Sequence, residues 1–325
     1  MTLARADRPQ RSPAAFRATG PTPADGGRAQ RRQHRRHQWT AWAFAAPLVA
    51  YLAAFYLYPL YRNLDLSLHH YTVRSFVAGG APFSGWDNFD QVLRDPTFWP
   101  AMRNTFVFVL ASIAVQYCAG LALAVFFNRN FRLSGLLRAL FLIPWLLPLI
   151  VSSSTWAWMM NSESGVLNYA LHLVGVSPVD WLTSPDWALT SVIIANIWIG
   201  IPFNLVILHS GLQNIPGELY EAAALDGAGA WQQFRRITFP LLRPVSAIVL
   251  LLGFVYTLKV FDLIWIMTKG GPGDSSSTLA TWSYRLGFGS LLPQFGPGAA
   301  VGNILILIAL VFGLLYIRVQ RRQEA

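Results

Sequence analysis

The chain has 325 residues, 54% of them hydrophobic and only 12% charged, with a mean hydropathy of +0.40. That charged share is about half of what a soluble domain carries, so lipid is the expected solvent for much of the surface and a wholly water-soluble domain does not fit. The net charge of +10 gathers in the first residues and at the ends of apolar runs instead of on one face of a domain, so nucleic acid is not an expected partner.

Residues 1–38 contain nine arginines, from Arg5 to Arg36, among Pro, Gly and Gln with few aliphatic side chains. This composition predicts a disordered basic tail on the cytoplasmic side. The basic stretch is too long, and the apolar run after it too extended, for a cleaved signal peptide. The pairs Arg31-Arg32 and Arg35-Arg36 also lack a twin-arginine context.

Residues 39–320 read as an all-α integral membrane domain of six transmembrane helices. The apolar runs lie near 42–61, 105–127, 136–160, 187–208, 245–267 and 300–317. Each approaches the ~20 residues that carry a helix across ~30 Å of hydrocarbon. A helix is the form available there, because in lipid the backbone must satisfy its own hydrogen bonds. Cys118 lies inside the second run, where a small residue packed between helices is expected.

The connectors set the orientation. Arg129 and Arg132 follow the second run, with Arg138 just beyond, whereas the connector after the third holds Glu163, Asp180 and Asp186 and no basic residue. Arg318, Arg321 and Arg322 close the chain after the last run. An excess of basic residues marks the cytoplasmic side, which places both termini and the 2–3 and 4–5 connectors inside. The 1–2 connector balances its charges and casts no vote.

The 4–5 connector, residues 211–243, carries helix signals of its own. Pro216 and Glu218 suit the first turn of a helix, and Gly227 suits a left-handed end. Leu219, Ala222 and Ala223 then share a face. A second short helix is expected from Ala230 until Pro240 stops it, with Trp231 and Phe234 on one side. Such helices have nothing of their own to bury against. Docking into another protein and lying on the bilayer surface are both open on these residues alone.

Glu221-Ala222-Ala223, Gly227 three residues later, and Ile237-Thr238-Phe239-Pro240 nine beyond that resemble the EAA loop of ABC-importer permeases, with Phe239 replacing the usual leucine. Phe261-Asp262, Thr268 to Pro272, Tyr58-Pro59, Leu142-Ile143-Pro144 and Gly165 to Asn168 extend the resemblance to the maltose and glycerol-phosphate type of carbohydrate permease, closest to its first subunit. The resemblance implies the type I importer fold. It also implies that Glu221, Ala222, Ala223, Asp226, Gly227, Ile237 and Pro240 belong to a coupling loop gripped by an ATPase subunit. The expected partners are a second permease subunit, two copies of that ATPase, an extracytoplasmic solute-binding protein, a sugar or related solute, and membrane lipid. ATP and Mg are expected on the partner ATPase, and no cofactor or metal on this chain.

Asn196, Ile199, Gly200 and Phe203 share one face of the fourth run, and Gly253, Tyr256, Thr257 and Val260 one face of the fifth. Both faces mix small or polar groups with aromatic rings, which suits a sugar pathway and equally suits helix packing. Positions matching Asn196, Ile199, Gly200, Phe203, Gly253, Thr257 and Val260 contact sugar in the family resembled, which favours the solute pathway. Ser112, Gln116, Gly120 and Ala124, at steps of four, read as close helix packing, with solute lining as the other reading. His209 is expected at the cytoplasmic interface. Lys259 and Asp262 are expected to pair near the outer interface, and a functional role is the alternative.

Among competing classes, an ion-coupled secondary transporter would show midplane charge relays or broken helices in paired repeats. An intramembrane enzyme would show a metal pair or a nucleophile–base set, and the six histidines form no His-Glu-x-x-His pattern. The chain cannot be the motor, since Lys259 and Lys269, its two lysines, stand outside any Gly-Lys-Ser/Thr setting.

Overall fold

The computed structural model describes residues 42, 44–129, 131–289 and 292–324. The expected tail at 1–38 lies outside them. The described residues up to Leu60 and those from Tyr61 onward form two separate units.

The described residues are helical, with no named strand among them. The first span is α1 (Phe44–Ser67), with a π turn at Ala53–Leu57. Two short helices, α2 (Val73–Ala78) and α3 (Asp87–Arg94), lead to the second span, α4 (Phe98–Phe127). The third apolar run forms α5 (Ser134–Leu146) and α6 (Leu149–Met159), and α7 (Val166–Leu173) follows. The fourth span is α8 (Ala188–Gln213), the connector after it holds α9 (Gly217–Leu225), and the fifth span is α10 (Ala230–Leu258). Short helices α11 (Asp262–Met267) and α12 (Leu279–Phe288) precede the last span, α13 (Phe295–Glu324).

Among the described residues five helices are thus long and apolar enough to cross a membrane, and six crossings result if the α5–α6 pair, bent by 93°, is one broken span. The expected single helix at 136–160 is corrected here. Leu147 is extended at ψ 142° and Pro148 at ψ 133°. Proline lacks an amide hydrogen and pushes the residue before it out of the α region, so the helix must end there.

The spans α4, α8 and α10 form the centre. Ala124, Phe127, Leu205, Leu208, Leu212, Leu242 and Val249 bury one another toward one end. Phe108, Val109, Val192, Ala195, Phe254 and Leu258 do so toward the other, joined by Leu263 and Ile264 of α11. The expected small-residue stripe Ser112, Gln116, Gly120 and Ala124 is buried. A Cβ at Gly120 would sit 2.5 Å from that of Asn204, so its absence is what lets α4 and α8 approach. Cys118 corrects its expectation: it faces outward and is exposed. One step along an α-helix turns the side chain by about 100°, so Cys118 shares no face with the stripe it interrupts.

The segment between α11 and α12 is tied to α4. Asn104 Nδ2 donates to the carbonyls of Asp274 (3.3 Å), Ser275 (3.0 Å) and Ser277 (3.1 Å), and the Leu279 amide donates to Thr105 Oγ1 at 2.9 Å. Arg285 pairs with Asp274 across the same turn. Asn63 of α1 and Asn303 of α13 exchange amide hydrogen bonds, with Asn63 Nδ2 donating to Asn303 Oδ1 at 2.7 Å.

Candidate functional site

The two predicted faces meet. Asn196, Ile199, Gly200 and Phe203 of α8 and Gly253, Tyr256 and Thr257 of α10, with Val260 just past its end, all line one cleft of about 420 Å³. Three further residues complete the wall: Gln116 of α4, Trp145 of α5 and Leu149 of α6. Trp145 and Leu149 escaped the sequence reading, which ran a straight helix through them. The signal was Pro148, since a break between the two turns both toward the helices beside them.

The wall combines rings and amides. The Phe203 ring meets Tyr256 edge-on at 6.0 Å between centroids, and Trp145 lies 6.2 Å from Phe203. Behind them Gln116 Nε2 donates to the Asn196 carbonyl at 2.8 Å. Its amide occupies the space that a side chain at position 200 would fill, for a Cβ on Gly200 would stand 2.3 Å from it. Asn196 is 7% exposed, and its Nδ2 has no hydrogen-bond partner among the described residues. An unmade hydrogen bond at a buried donor costs about 1–3 kcal/mol, so this donor is primed for an acceptor arriving through the cleft. Flat apolar rings beside an unpaired amide can hold the faces and hydroxyls of a sugar.

Lys259 sits at this rim with Nζ 5.0 Å from the Tyr256 centroid. The expected pairing with Asp262 is corrected: among the described residues no ion pair joins them. The helix breaks between Leu258 and Asp262, where Phe261 adopts φ −120°, so the i, i+3 geometry that would bring the two together is lost. His209, near the end of α8, is buried, and the Arg138 guanidinium donates to its Nε2 at 3.1 Å. A larger hollow, about 510 Å³ between Glu163, Asn168, Tyr169 and His172, belongs to the exposed connector after α6 and not to the spans.

The second predicted site is the coupling segment. Pro216 caps α9 as its N-cap residue, one position before the first turn where the sequence put it, and Glu218 occupies that turn. Gly227 ends it at φ +78°: its amide returns to Ala224 O at 3.0 Å and that of Ala228 to Ala223 O at 2.9 Å. This paired closure needs a left-handed residue, which only glycine adopts without strain. No residue of α9 is buried, and Leu225 at its tip is 90% exposed. Glu221, Ala222 and Asp226 are exposed beside it.

Beyond the reversal, Trp231 and Phe234 stack at 5.5 Å as their shared side predicted, but Pro240 does not stop the helix. The chain winds through a π turn at Phe234–Thr238 and continues unbroken to Leu258. A proline ring clashes with the carbonyl four residues back in a regular α-helix, and the wider π turn directly before Pro240 removes that clash. Ile237 and Pro240, both half-buried, therefore stand on the same helix as Gly253, Tyr256 and Thr257.

Comparison with known proteins agrees with this architecture. Residues 116–325 match the family model described as binding-protein-dependent transport system inner membrane component. The trehalose/maltose transport system permease protein MalF of Thermococcus litoralis is 36% identical over 278 residues, covering 85% of this chain and 91% of that protein. The lactose transport system permease protein LacF of Rhizobium radiobacter is 34% identical over 295 residues, covering 89% and 97%. In fold, the chain is similar to a subunit in the crystal structure of a bacterial ABC transporter involved in import of the acidic polysaccharide alginate, with a TM-score of 0.77 at 23% identity over 90% of this chain and 99% of that one. A polytopic helical chain with a lined cleft between its central spans and a protruding EAA-type segment, matched along most of its length, belongs to the binding-protein-dependent transport system inner membrane component family.

Proposed function

We propose that this permease subunit carries a carbohydrate or related solute through the cleft between α8 and α10 by alternating access, driven by ATP hydrolysed on a separate subunit that grips α9. The observation supporting this is the single cleft into which both predicted faces turn, with an orphaned Asn196 amide beside the Trp145, Phe203 and Tyr256 rings. Relatives named for trehalose/maltose, lactose and, at 32% identity, sulfoquinovosyl glycerol transport support a sugar-like solute. Family membership sets aside the ion-coupled alternative.

In this reading a second permease subunit completes the cavity, and an extracytoplasmic binding protein delivers the solute. Two ATPase copies bind ATP and Mg²⁺, for which this chain has no phosphate-binding loop. Closure of the ATPases displaces α9 and α10 and exchanges outward for inward access. Solute and nucleotide each bias that one equilibrium.

The test is uptake into proteoliposomes holding the full complex, with liganded binding protein outside and ATP inside. Asn196→Leu should cut uptake by about tenfold, the worth of one well-placed hydrogen bond, while the ATPase subunit stays bound. Undiminished uptake by that variant would remove the cleft from the pathway.

A further inference from the structure

The helix α9 is nearly unsupported. None of its residues is buried, and among the described residues the one side-chain hydrogen bond it makes to another helix is from Tyr220. The Tyr220 hydroxyl meets Thr238 Oγ1 at 2.9 Å. Thr238 is 6% exposed and closes the π turn inside the first turns of α10, and its hydroxyl also lies 3.5 Å from the Gln233 carbonyl.

Nineteen residues of unbroken α-helix then separate Thr238 from Thr257 in the cleft wall, a distance of about 28 Å at 1.5 Å per residue. The second arm of the coupling segment is thus the fifth span itself. Among the described residues the first arm joins it through the chain reversal at Gly227 and through the Tyr220 hydrogen bond.

A reversal built on one left-handed glycine is a hinge. With the hinge alone, a push on α9 would rotate that helix about Gly227 and leave α10 behind. A hydrogen bond from the middle of α9 to the base of α10 closes a triangle, so that the two arms turn as one body. Thr238 suits that role because its buried hydroxyl would have no comparable partner if Tyr220 moved away.

We infer that Tyr220 and Thr238 form the strut that converts displacement of the docked α9 into displacement of α10, making Tyr220 a positioning residue for energy coupling rather than a docking contact. This rests on the coupling reading of α9 and adds to it the residue through which the force passes.

The test measures uptake and ATP hydrolysis together in proteoliposomes of the full complex, with co-purification of the ATPase subunit scored in parallel. Tyr220→Phe removes only the hydroxyl and keeps the ring. The ATPase subunit should stay bound while solute carried per ATP falls by about three- to tenfold, the range expected for one hydrogen bond. Thr238→Val should give the same loss, Thr238→Ser should restore the ratio, and Tyr220→Phe with Thr238→Val should be no worse than either alone. An unchanged ratio in Tyr220→Phe, or additive losses in the double variant, overturns the strut. Glu221→Lys separates the two readings: if that variant keeps both its ATPase subunit and its uptake, the coupling role of α9 fails, and the strut with it.

Discussion

Gly200 and Gly120 are both small for a reason that lies on another helix. At Gly200 the neighbour is the end of the Gln116 side chain, which can rotate but only by surrendering its bond to the Asn196 carbonyl. Gly200→Ala should therefore spare folding more than transport: uptake falls several-fold, with a thermal midpoint in detergent only slightly lowered. At Gly120 the neighbours are the Asn204 Cβ at 2.5 Å and its backbone carbon at 3.2 Å, which cannot rotate away. Gly120→Ala should force α4 and α8 apart and destabilise by about 1–3 kcal/mol, read as a clear drop in the same midpoint. Both glycines belong to runs visible in the sequence, but only the structure tells a yielding neighbour from a fixed one. Lys259 and Asp262 make the complementary case. Their spacing predicted a pair, yet the prediction assumed a helix that ends at Leu258. Asp262→Asn should accordingly shift the midpoint by no more than about 2 °C, as for a surface substitution.

Among the elements, the apolar runs foretold where spans lie and not how they begin or break. The second span starts at Phe98, seven residues ahead of the expected 105, because Arg103 and Asn104 sit in its first turns without interrupting the helix. The third run was read as one helix although Pro148 stood inside it, and that break is what turns Trp145 and Leu149 into the cleft. Pro148→Ala would permit α5 and α6 to fuse. It should reduce uptake while leaving membrane insertion intact, which quantifying the protein in sedimented membranes would check. Pro240 misled in the other direction. A proline ten residues past the start of a helix ordinarily ends or kinks it, and nothing local announces the π turn that accommodates Pro240. The eight residues that line the cleft, by contrast, were legible because i, i+3, i+4, i+7 spacing survives any error in helix ends.

For the molecule as a whole, the charge pattern of the connectors makes a topological prediction. Replacing Cys118, the single cysteine, with serine gives a background in which Leu225→Cys on α9 and Tyr169→Cys on α7 can be labelled separately, both sites being well exposed. A membrane-impermeant maleimide added to intact cells should modify position 169 and spare position 225, and inverted vesicles should reverse the result. The opposite pattern would place the EAA-type segment away from any cytoplasmic ATPase. The number of crossings and their order were readable from hydropathy. Which helices form the centre was not, since Ala124 and Leu205 look no different in sequence from residues that face lipid.

The unbroken run of α10 from the π turn to the cleft has a mechanical corollary. A stiff lever about 28 Å long, swung through only ~10° at the end beside α9, sweeps its far end by about 5 Å, the width of a hexose ring's edge. The stiffness of that helix then limits the stroke, once the Tyr220–Thr238 contact has passed the push to its foot. Inserting compliance midway, as Leu250→Gly together with Leu251→Gly, should leave gripping and solute contacts in place yet let the engine idle, burning nucleotide while cargo stays outside.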